Sequence, residues 1–253
     1  MKIKQLGIVS GVALATLVTA SAAQAALVVV PPGLNPGDQY RLVFVTDGTR
    51  DATSTNIDDY NNFVTNDARG GTPGIDTALD VALNAAGFNP NTIEWKVIGS
   101  TDSVAARDNT GTNPSSTGVP IYLIDGNRVA NNNADLWDGS ILTGIDRTPQ
   151  ESVGVTFVWS GTSDDGTVGC CGGAIGSNVA IVGVAGAFLG SGWINESVKS
   201  GSEVYQFYGI STVLTVPTPA VSVPEPSSLL GFITLGGLML GSAVRLTGGG
   251  SGT

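Results

Sequence analysis

The segment VPIYLIDGNRVANNNADLWDGSI, residues 119–141, carries a clear fold signal. Its first part predicts a β-hairpin, because two short apolar runs flank the sequence Asp-Gly-Asn at residues 125–127, a combination typical of tight turns. Its second part predicts a short helical or turn segment in which Leu136 and Trp137 pack against the domain. The segment therefore indicates an antiparallel strand pair followed by a compact reversal of the chain.

Two helices are predicted upstream of that hairpin, between two strands. Residues 40–46 alternate apolar and polar side chains, as expected of a strand with one buried face. Residues 54–68 and 75–87 have the apolar spacing of amphipathic helices, and Thr55 is the predicted N-cap of the first helix. Residues 92–98 predict the second strand.

Further strands are predicted downstream, around a glycine-rich loop. Residues 155–162 read as a strand, the loop follows over residues 161–178, and residues 179–190 and 203–216 supply the closing apolar segments. Helices early in the chain, followed by hairpins and long loops, are typical of an α+β fold. We therefore predict one α+β domain over residues 26–216.

Several residues of this domain follow the pattern of a known family. A Val-Pro-Ile hairpin strand, a Trp-x-Gly segment and a later Val-Trp-x-Gly strand occur in the order seen in the endostatin-type domain of some collagens. The matching residues are Val119, Pro120, Ile121, Trp137, Gly139, Val158, Trp159 and Gly161. The resemblance implies a C-type-lectin-like fold, with two helices beside a twisted antiparallel sheet and long loops on one side. It does not extend to the histidine zinc ligands or the basic heparin-binding surface of endostatin, which have no counterpart in this sequence.

The composition excludes several classes of function. The 253 residues include no histidine, which removes the Ser-His type of catalytic triad and the commonest zinc ligand. The formal net charge of -10 argues against nucleic acid as a partner, because phosphate binding needs Lys and Arg. No motif designates a catalytic residue, so we expect a protein that is not an enzyme.

The N-terminal residues 1–25 are typical of a signal peptide. Lys2 and Lys4 precede an apolar stretch, and Ala23-Gln24-Ala25 has the small-x-small pattern of a cleavage site. We therefore expect an exported protein, cleaved before Ala26.

The C-terminal residues predict a membrane-directed tail. A proline-rich linker at 217–226 precedes an uncharged apolar stretch at 227–245, which ends at Arg245, and a polar tail follows at 246–253. The apolar stretch has close to the length of a transmembrane helix, and a buried core helix is the alternative. The linker detaches the stretch from the domain, which favours the membrane.

The order of these elements resembles the PEP-CTERM sorting signal of exported bacterial proteins. The residues that carry the resemblance are Val223, Pro224, Glu225, Pro226 and Arg245. It implies that an exosortase, a membrane protease-transpeptidase, recognises and processes the tail. It also implies a membrane-associated precursor and a final location at the cell surface or in the extracellular matrix. Family members usually end in a basic cluster, whereas this chain has Arg245 alone.

The adjacent residues Cys170 and Cys171 are the only cysteines in the chain. In an exported protein two cysteines usually pair, which here requires a strained eight-membered ring. Two free or separately cross-linked thiols are the alternative, and the sequence leaves both open.

Acidic loops raise the question of bound calcium. Asp164 and Asp165 form an Asp-Asp-Gly turn, and Asn195 and Glu196 follow Trp193, so these four residues are the candidate ligand or calcium loop. Turn formation alone also explains them. We therefore expect no cofactor unless it is calcium, and the residues of any metal site stay unknown.

Polysaccharide is the partner that these observations favour. Several aromatic residues are candidates for stacking on sugar rings or for the core: Trp137, Trp159, Trp193, Tyr205 and Tyr208. We predict an exported surface or matrix protein that binds or structures extracellular polysaccharide. The alternatives are a matrix-polymer hydrolase with an Asp pair such as Asp164 and Asp165, and a purely architectural coat protein.

Overall fold

The computed structural model of the chain describes residues 27–70, 76–154 and 156–218. The chain divides into two units, Met1–Val216 and Pro217–Thr253, and the helices and strands of the described residues lie in the first. The predicted signal peptide and apolar tail lie outside the described residues, as do Val223, Pro224, Glu225, Pro226 and Arg245. Within the described ranges, no helix combines the length and the apolar character that a membrane crossing requires.

Nine strands form one sheet in the described part of the chain. The strands are β1 (Gln39–Val45), β2 (Trp95–Val97), β3 (Ile121–Leu123), β4 (Arg128–Ala130), β5 (Phe157–Trp159), β6 (Val179–Val184), β7 (Ser197–Ser200), β8 (Gln206–Ser211) and β9 (Leu214–Thr215). In space they follow the order β4-β3-β1-β8-β5-β6-β7, with β2 beside β8 and β9 beside β1. The long strands β1 and β8 therefore form the centre of the sheet, and each pairs with three other strands.

The sheet is mixed, which corrects the expectation of an antiparallel sheet. Strand β1 runs parallel to β3, with Leu42 opposite Tyr122, and β5 runs parallel to β8, with Trp159 opposite Phe207. Parallel neighbours need a long connection that returns the chain to the same end of the sheet. The first three α-helices and β2 supply it between β1 and β3, and β6 and β7 supply it between β5 and β8.

Four short or medium α-helices accompany the sheet in the ranges that the structure describes. They are α1 (Ile57–Ala68), α2 (Ala78–Ala85), α3 (Ala106–Asn109) and α4 (Asn133–Leu136). The two longer helices confirm the prediction, but α1 is capped by Asn56, whose side chain accepts a hydrogen bond from the backbone N–H of Asp58 at 3.1 Å. Thr55 was therefore the wrong N-cap, by one residue. An Asn side chain caps as well as a Thr side chain, so composition alone did not distinguish them.

The predicted hairpin is confirmed. Strands β3 and β4 pair antiparallel, and Gly126 adopts a left-handed φ of 88° in the turn between them. The Asp125 carboxylate accepts a hydrogen bond from the N–H of Asn127 at 3.0 Å, which fixes the turn. Leu136 and Trp137 are buried immediately after it, as expected.

Both faces of the sheet are buried at its centre. Tyr40, Leu42 and Phe44 of β1 belong to one hydrophobic cluster, together with apolar side chains of α1 and α2. We call this cluster the helix-side core. Val43 and Val45, which point the other way, belong to a second cluster that includes Leu136, Trp137 and Trp193. This corrects the expectation that the strand has one buried face. Since alternate side chains of a strand face opposite sides, the uninterrupted apolar run Leu42–Val45 is the sequence of a strand covered on both faces.

Candidate functional site

An open groove with a volume of about 500 Å³ lies at the margin of the helix-side core. Among the described residues, those that line it are Thr49, Thr156, Phe157, Val184, Val204 and Tyr205. Phe157 and Tyr205 are each half-buried, so part of each aromatic ring is accessible to a ligand. We call this feature the Tyr205 groove.

The sheet positions Phe157 on one wall of the Tyr205 groove. Phe157 opens strand β5 and lies opposite Val184 of β6 in the antiparallel register. Paired residues of neighbouring strands share a face of the sheet, so both side chains reach the groove. Trp159, two residues later on the same face, is fully buried and continues into the core.

A short antiparallel bridge holds Tyr205 in place. Its backbone N–H donates to the Arg50 carbonyl, and the Arg50 N–H donates to the Tyr205 carbonyl, both at 3.1 Å. The Tyr205 ring lies between two others, with its centroid 5.7 Å from that of Phe157 and 5.1 Å from that of Trp159. The Trp159 indole N–H also donates to the Arg50 carbonyl at 3.2 Å. The aromatic wall is therefore fixed by both backbone and ring contacts.

Charged groups of both signs border the aromatic wall. The Tyr205 hydroxyl donates a hydrogen bond to the Glu203 carboxylate, which raises the pKa of the tyrosine. On the other side, the Lys199 ammonium lies over the Phe157 ring, 4.3 Å from its centroid. The groove therefore combines an apolar floor with a hydrogen-bond acceptor and a cation at its edge, which is the usual make-up of a small-ligand site.

Four of the five aromatic residues weighed as sugar-stacking candidates lie in the core. Trp137, Trp159, Trp193 and Tyr208 are at most 5% exposed. The Trp137 indole N–H donates to the Thr112 side chain at 2.9 Å, as a buried tryptophan normally requires. Tyr205 is thus the one member of that set with an accessible ring.

Phe157 belongs to the groove but was missed in the sequence. The sequence did contain a signal that links Phe157 to Trp159. The two residues are at positions i and i+2, so their side chains share a face of any strand that contains both. The strand was predicted, but nothing in its sequence indicated that Phe157 would stay partly exposed while Trp159 is buried.

The candidate calcium ligands lie on exposed turns. Asp165 accepts hydrogen bonds from the backbone N–H and the hydroxyl of Thr167, at 2.9 Å and 2.5 Å, and lies 3.9 Å from the Arg107 guanidinium. Burial alone would raise the pKa of Asp165, but the Thr167 hydrogen bonds and the Arg107 charge together hold it below its ordinary value. The Asp165 carboxylate therefore already has partners within its own loop.

The two halves of the predicted calcium loop are not joined. Asn195 and Glu196 are exposed beyond Trp193, and within the described ranges no hydrogen bond or ion pair links them to Asp164 or Asp165. Nor do three His, Cys, Asp or Glu side chains come together to hold a metal ion in that part of the chain. Calcium binding at these four residues stays a prediction.

A second cleft brings together two other carboxylates. Asp125 lies 3.3 Å from Nε of Arg147, and Asp146 lies 3.5 Å from Nη1 of the same guanidinium, in a cavity of about 330 Å³. Burial raises the pKa of Asp146 despite the nearby Arg147 charge. Sequence reasoning missed this pair, because the hairpin turn and the segment before β5 are brought together only by the fold.

Cys170 and Cys171 lie on an exposed 3-10 turn, Cys170–Gly172, and both are thiols in the structure. Their pairing under oxidising conditions stays a prediction.

Comparison with known proteins assigns the chain to no family. No protein-family model matches the sequence, and no curated protein matches it.

Proposed function

We propose that the chain is an exported surface or extracellular-matrix protein that binds extracellular polysaccharide in the Tyr205 groove. The observation that carries the proposal is the pair of accessible rings, Phe157 and Tyr205, fixed side by side in an open groove of about 500 Å³. A pyranose ring has an apolar C–H face and a polar rim. Such a ring is matched by aromatic surface with hydrogen-bonding groups at its edge.

The charges of the chain narrow the class of polysaccharide. A formal net charge of -10 repels polyanions over the whole surface. Beside the groove, Lys199 at the Phe157 ring and Glu203 at the Tyr205 hydroxyl provide one charge of each sign, and Thr156 adds a hydroxyl to the lining. A neutral or weakly charged polymer is therefore the expected ligand, and binding needs no catalytic step.

The proposal includes the fold family and the C-terminal tail. We assign the domain to the endostatin-type C-type-lectin-like fold on the strength of the Val119–Ile121 and Trp159 patterns. The tail, with Val223-Pro224-Glu225-Pro226, an apolar stretch and Arg245, is proposed as an exosortase substrate that holds the precursor at the membrane.

Replacing Glu225 with Ala should then leave the tail unprocessed in the producing cell. Identical intact masses for the wild-type and Glu225→Ala products, apart from the substitution itself, would refute this part.

Replacing Tyr205 with Ala should weaken polysaccharide binding at least about tenfold, because truncating a central aromatic anchor commonly costs more than about 1.4 kcal/mol. Phe157→Ala should act in the same direction, and Tyr205→Phe should lose less because the ring remains. The measurement is affinity gel electrophoresis in gels that contain dextran, xyloglucan or alginate, with and without calcium.

Leu189→Ala is the control, because Leu189 is a large apolar residue, 80% accessible, that lines neither the groove nor the cleft at Asp125 and Asp146. It should migrate as the wild type does. Equal retardation of Tyr205→Ala and wild type would place binding elsewhere. No retardation in any gel, together with self-association, would favour an architectural coat protein.

A polymer hydrolase is the alternative, favoured by the cleft at Asp125 and Asp146. A carboxyl group with a raised pKa beside a second, ion-paired carboxylate is an arrangement used in acid–base catalysis. Release of reducing sugars from the same polymers, abolished by Asp146→Asn without loss of fold, would establish it. Absence of turnover by the wild type would remove it.

A further inference from the structure

The two thiols of the chain belong to neighbouring residues on one exposed turn. Cys170 and Cys171 are both exposed, and the neighbouring Cys171 side chain raises the pKa of the Cys170 thiol. Since the 253 residues contain only these cysteines, each thiol has one possible intrachain partner.

The ends of the cysteine turn are packed against strand β6. The Gly169 N–H donates to the Gly161 carbonyl at 2.8 Å, and the Ile181 N–H donates to the Gly173 carbonyl at 2.8 Å. A β-carbon on Gly169 or Gly173 would lie 2.5 Å or 2.8 Å from the Ile181 side chain, so both glycines sit directly on it. The base of the turn is therefore fixed.

The tip of the turn faces solvent. Cys171 adopts the left-handed conformation, with φ 60° and ψ 30°. A β-carbon on Gly172 would meet no atom within 4 Å, so the tip has room to move. Closing the ring has to rearrange the peptide between the two cysteines, whose carbonyl accepts a hydrogen bond from the Gly173 N–H at 3.0 Å.

We propose that Cys170 and Cys171 form a reversible dithiol–disulfide pair that exchanges with low-molecular-weight disulfides and closes within one chain. One thiolate attacks a sulfur of the small disulfide, forming a mixed disulfide and releasing one small thiolate. The second protein thiolate then attacks the protein sulfur of that mixed disulfide, which forms the Cys170–Cys171 bond and releases the second small thiolate.

The exchange is balanced and easily reversed. The protein loses two electrons and two protons in all, and the small disulfide is reduced to two thiols. Closure makes an eight-membered ring whose sulfurs belong to adjacent residues, a strained arrangement that favours the reverse reaction with small thiols. This inference is independent of the proposed polysaccharide binding.

The test is incubation of the full chain with oxidised glutathione at pH 8, followed by thiol counting, intact-mass measurement and non-reducing electrophoresis. We expect loss of both free thiols and a monomer lighter by two hydrogens. Reduced glutathione should restore both thiols. The reaction should be faster at pH 9 than at pH 7, because the thiolate is the nucleophile.

Cys170→Ser and Cys171→Ser are the matched variants, each of which should stop at the glutathione adduct or a disulfide-linked dimer. Any one of four results for the wild type would overturn the proposal: disulfide-linked dimers, a stable glutathione adduct, an unchanged number of free thiols, or failure of reduced glutathione to reopen the ring. Unchanged circular dichroism of both variants ensures that the comparison concerns chemistry and not folding.

Discussion

Replacing Gly183 with Ala should lower the free energy of unfolding by about 3 kcal/mol, the upper end of what overpacking usually costs. Gly183 lies in β6 opposite Val158, and a β-carbon there would lie 1.9 Å from the carbonyl oxygen of Trp193 and 2.4 Å from its carbonyl carbon. These are backbone atoms next to a fully buried tryptophan, so they have little room to move away. Urea denaturation followed by tryptophan fluorescence measures the change.

Gly192→Ala is the matched control for Gly183→Ala. The nearest atom to a β-carbon at Gly192 is Oε2 of Glu196, at 2.9 Å, the end of an exposed side chain that can swing aside. This variant should stay within about 1 kcal/mol of the wild type. Equal midpoints for the two variants would mean that β6 does not approach Trp193 as closely as described.

Raising the pH from 4 to 7 should destabilise the wild type relative to Asp67→Asn by roughly 2.5 kcal/mol. Burial raises the pKa of Asp67 from 3.8 to about 6, although the backbone N–H groups of Gly48 and Asp47 donate to its carboxylate and oppose the shift. Between these two pKa values the folded chain keeps a proton at Asp67 that the unfolded chain has released. That stabilisation is fully present below pH 4 and is lost as the pH rises through about 6.

The quantity to follow is the free energy of unfolding of the wild type minus that of Asp67→Asn. We expect this difference to fall as the pH rises. The amide that replaces the Asp67 carboxyl group in the variant cannot titrate, and any hydrogen bond lost with the substitution contributes equally at every pH. Urea denaturation at pH 4, 5, 6 and 7 measures the difference. Asp102→Asn, which removes an exposed carboxylate, should keep the wild-type profile. Parallel profiles for Asp67→Asn and the wild type would contradict the raised pKa.

Elements with strong local patterns could be predicted from the sequence. Helix α1 has apolar residues at helical spacing, and the β3–β4 hairpin has a turn that only a few residue types form. Strand β7 was missed because its sequence, Ser-Val-Lys-Ser, has a single apolar residue, and pairing with β6 rather than propensity makes it a strand. The parallel pairs were missed because strand order depends on long connections, which leave no local pattern.

The candidate site could also be predicted only in part from the sequence. Tyr205 could be predicted as a candidate because it is aromatic, but the exposure of its ring depends on which residues pack around it in the fold. Trp159, another aromatic residue of the same set, is buried. The burial of Asp67 is equally non-local, because its two backbone donors belong to residues about twenty positions earlier. Sequence reasoning identifies candidate groups, whereas burial decides which of them meet solvent.

The support behind Tyr205 has a thermodynamic consequence for ligand binding. Its backbone is held by Arg50, its ring by Phe157 and Trp159, and its hydroxyl by Glu203. A side chain with so little rotamer freedom left loses little conformational entropy when a ligand arrives. We therefore expect calorimetry to show sugar binding with a favourable enthalpy and a negative heat-capacity change, as is frequent when an apolar face enters a preformed pocket.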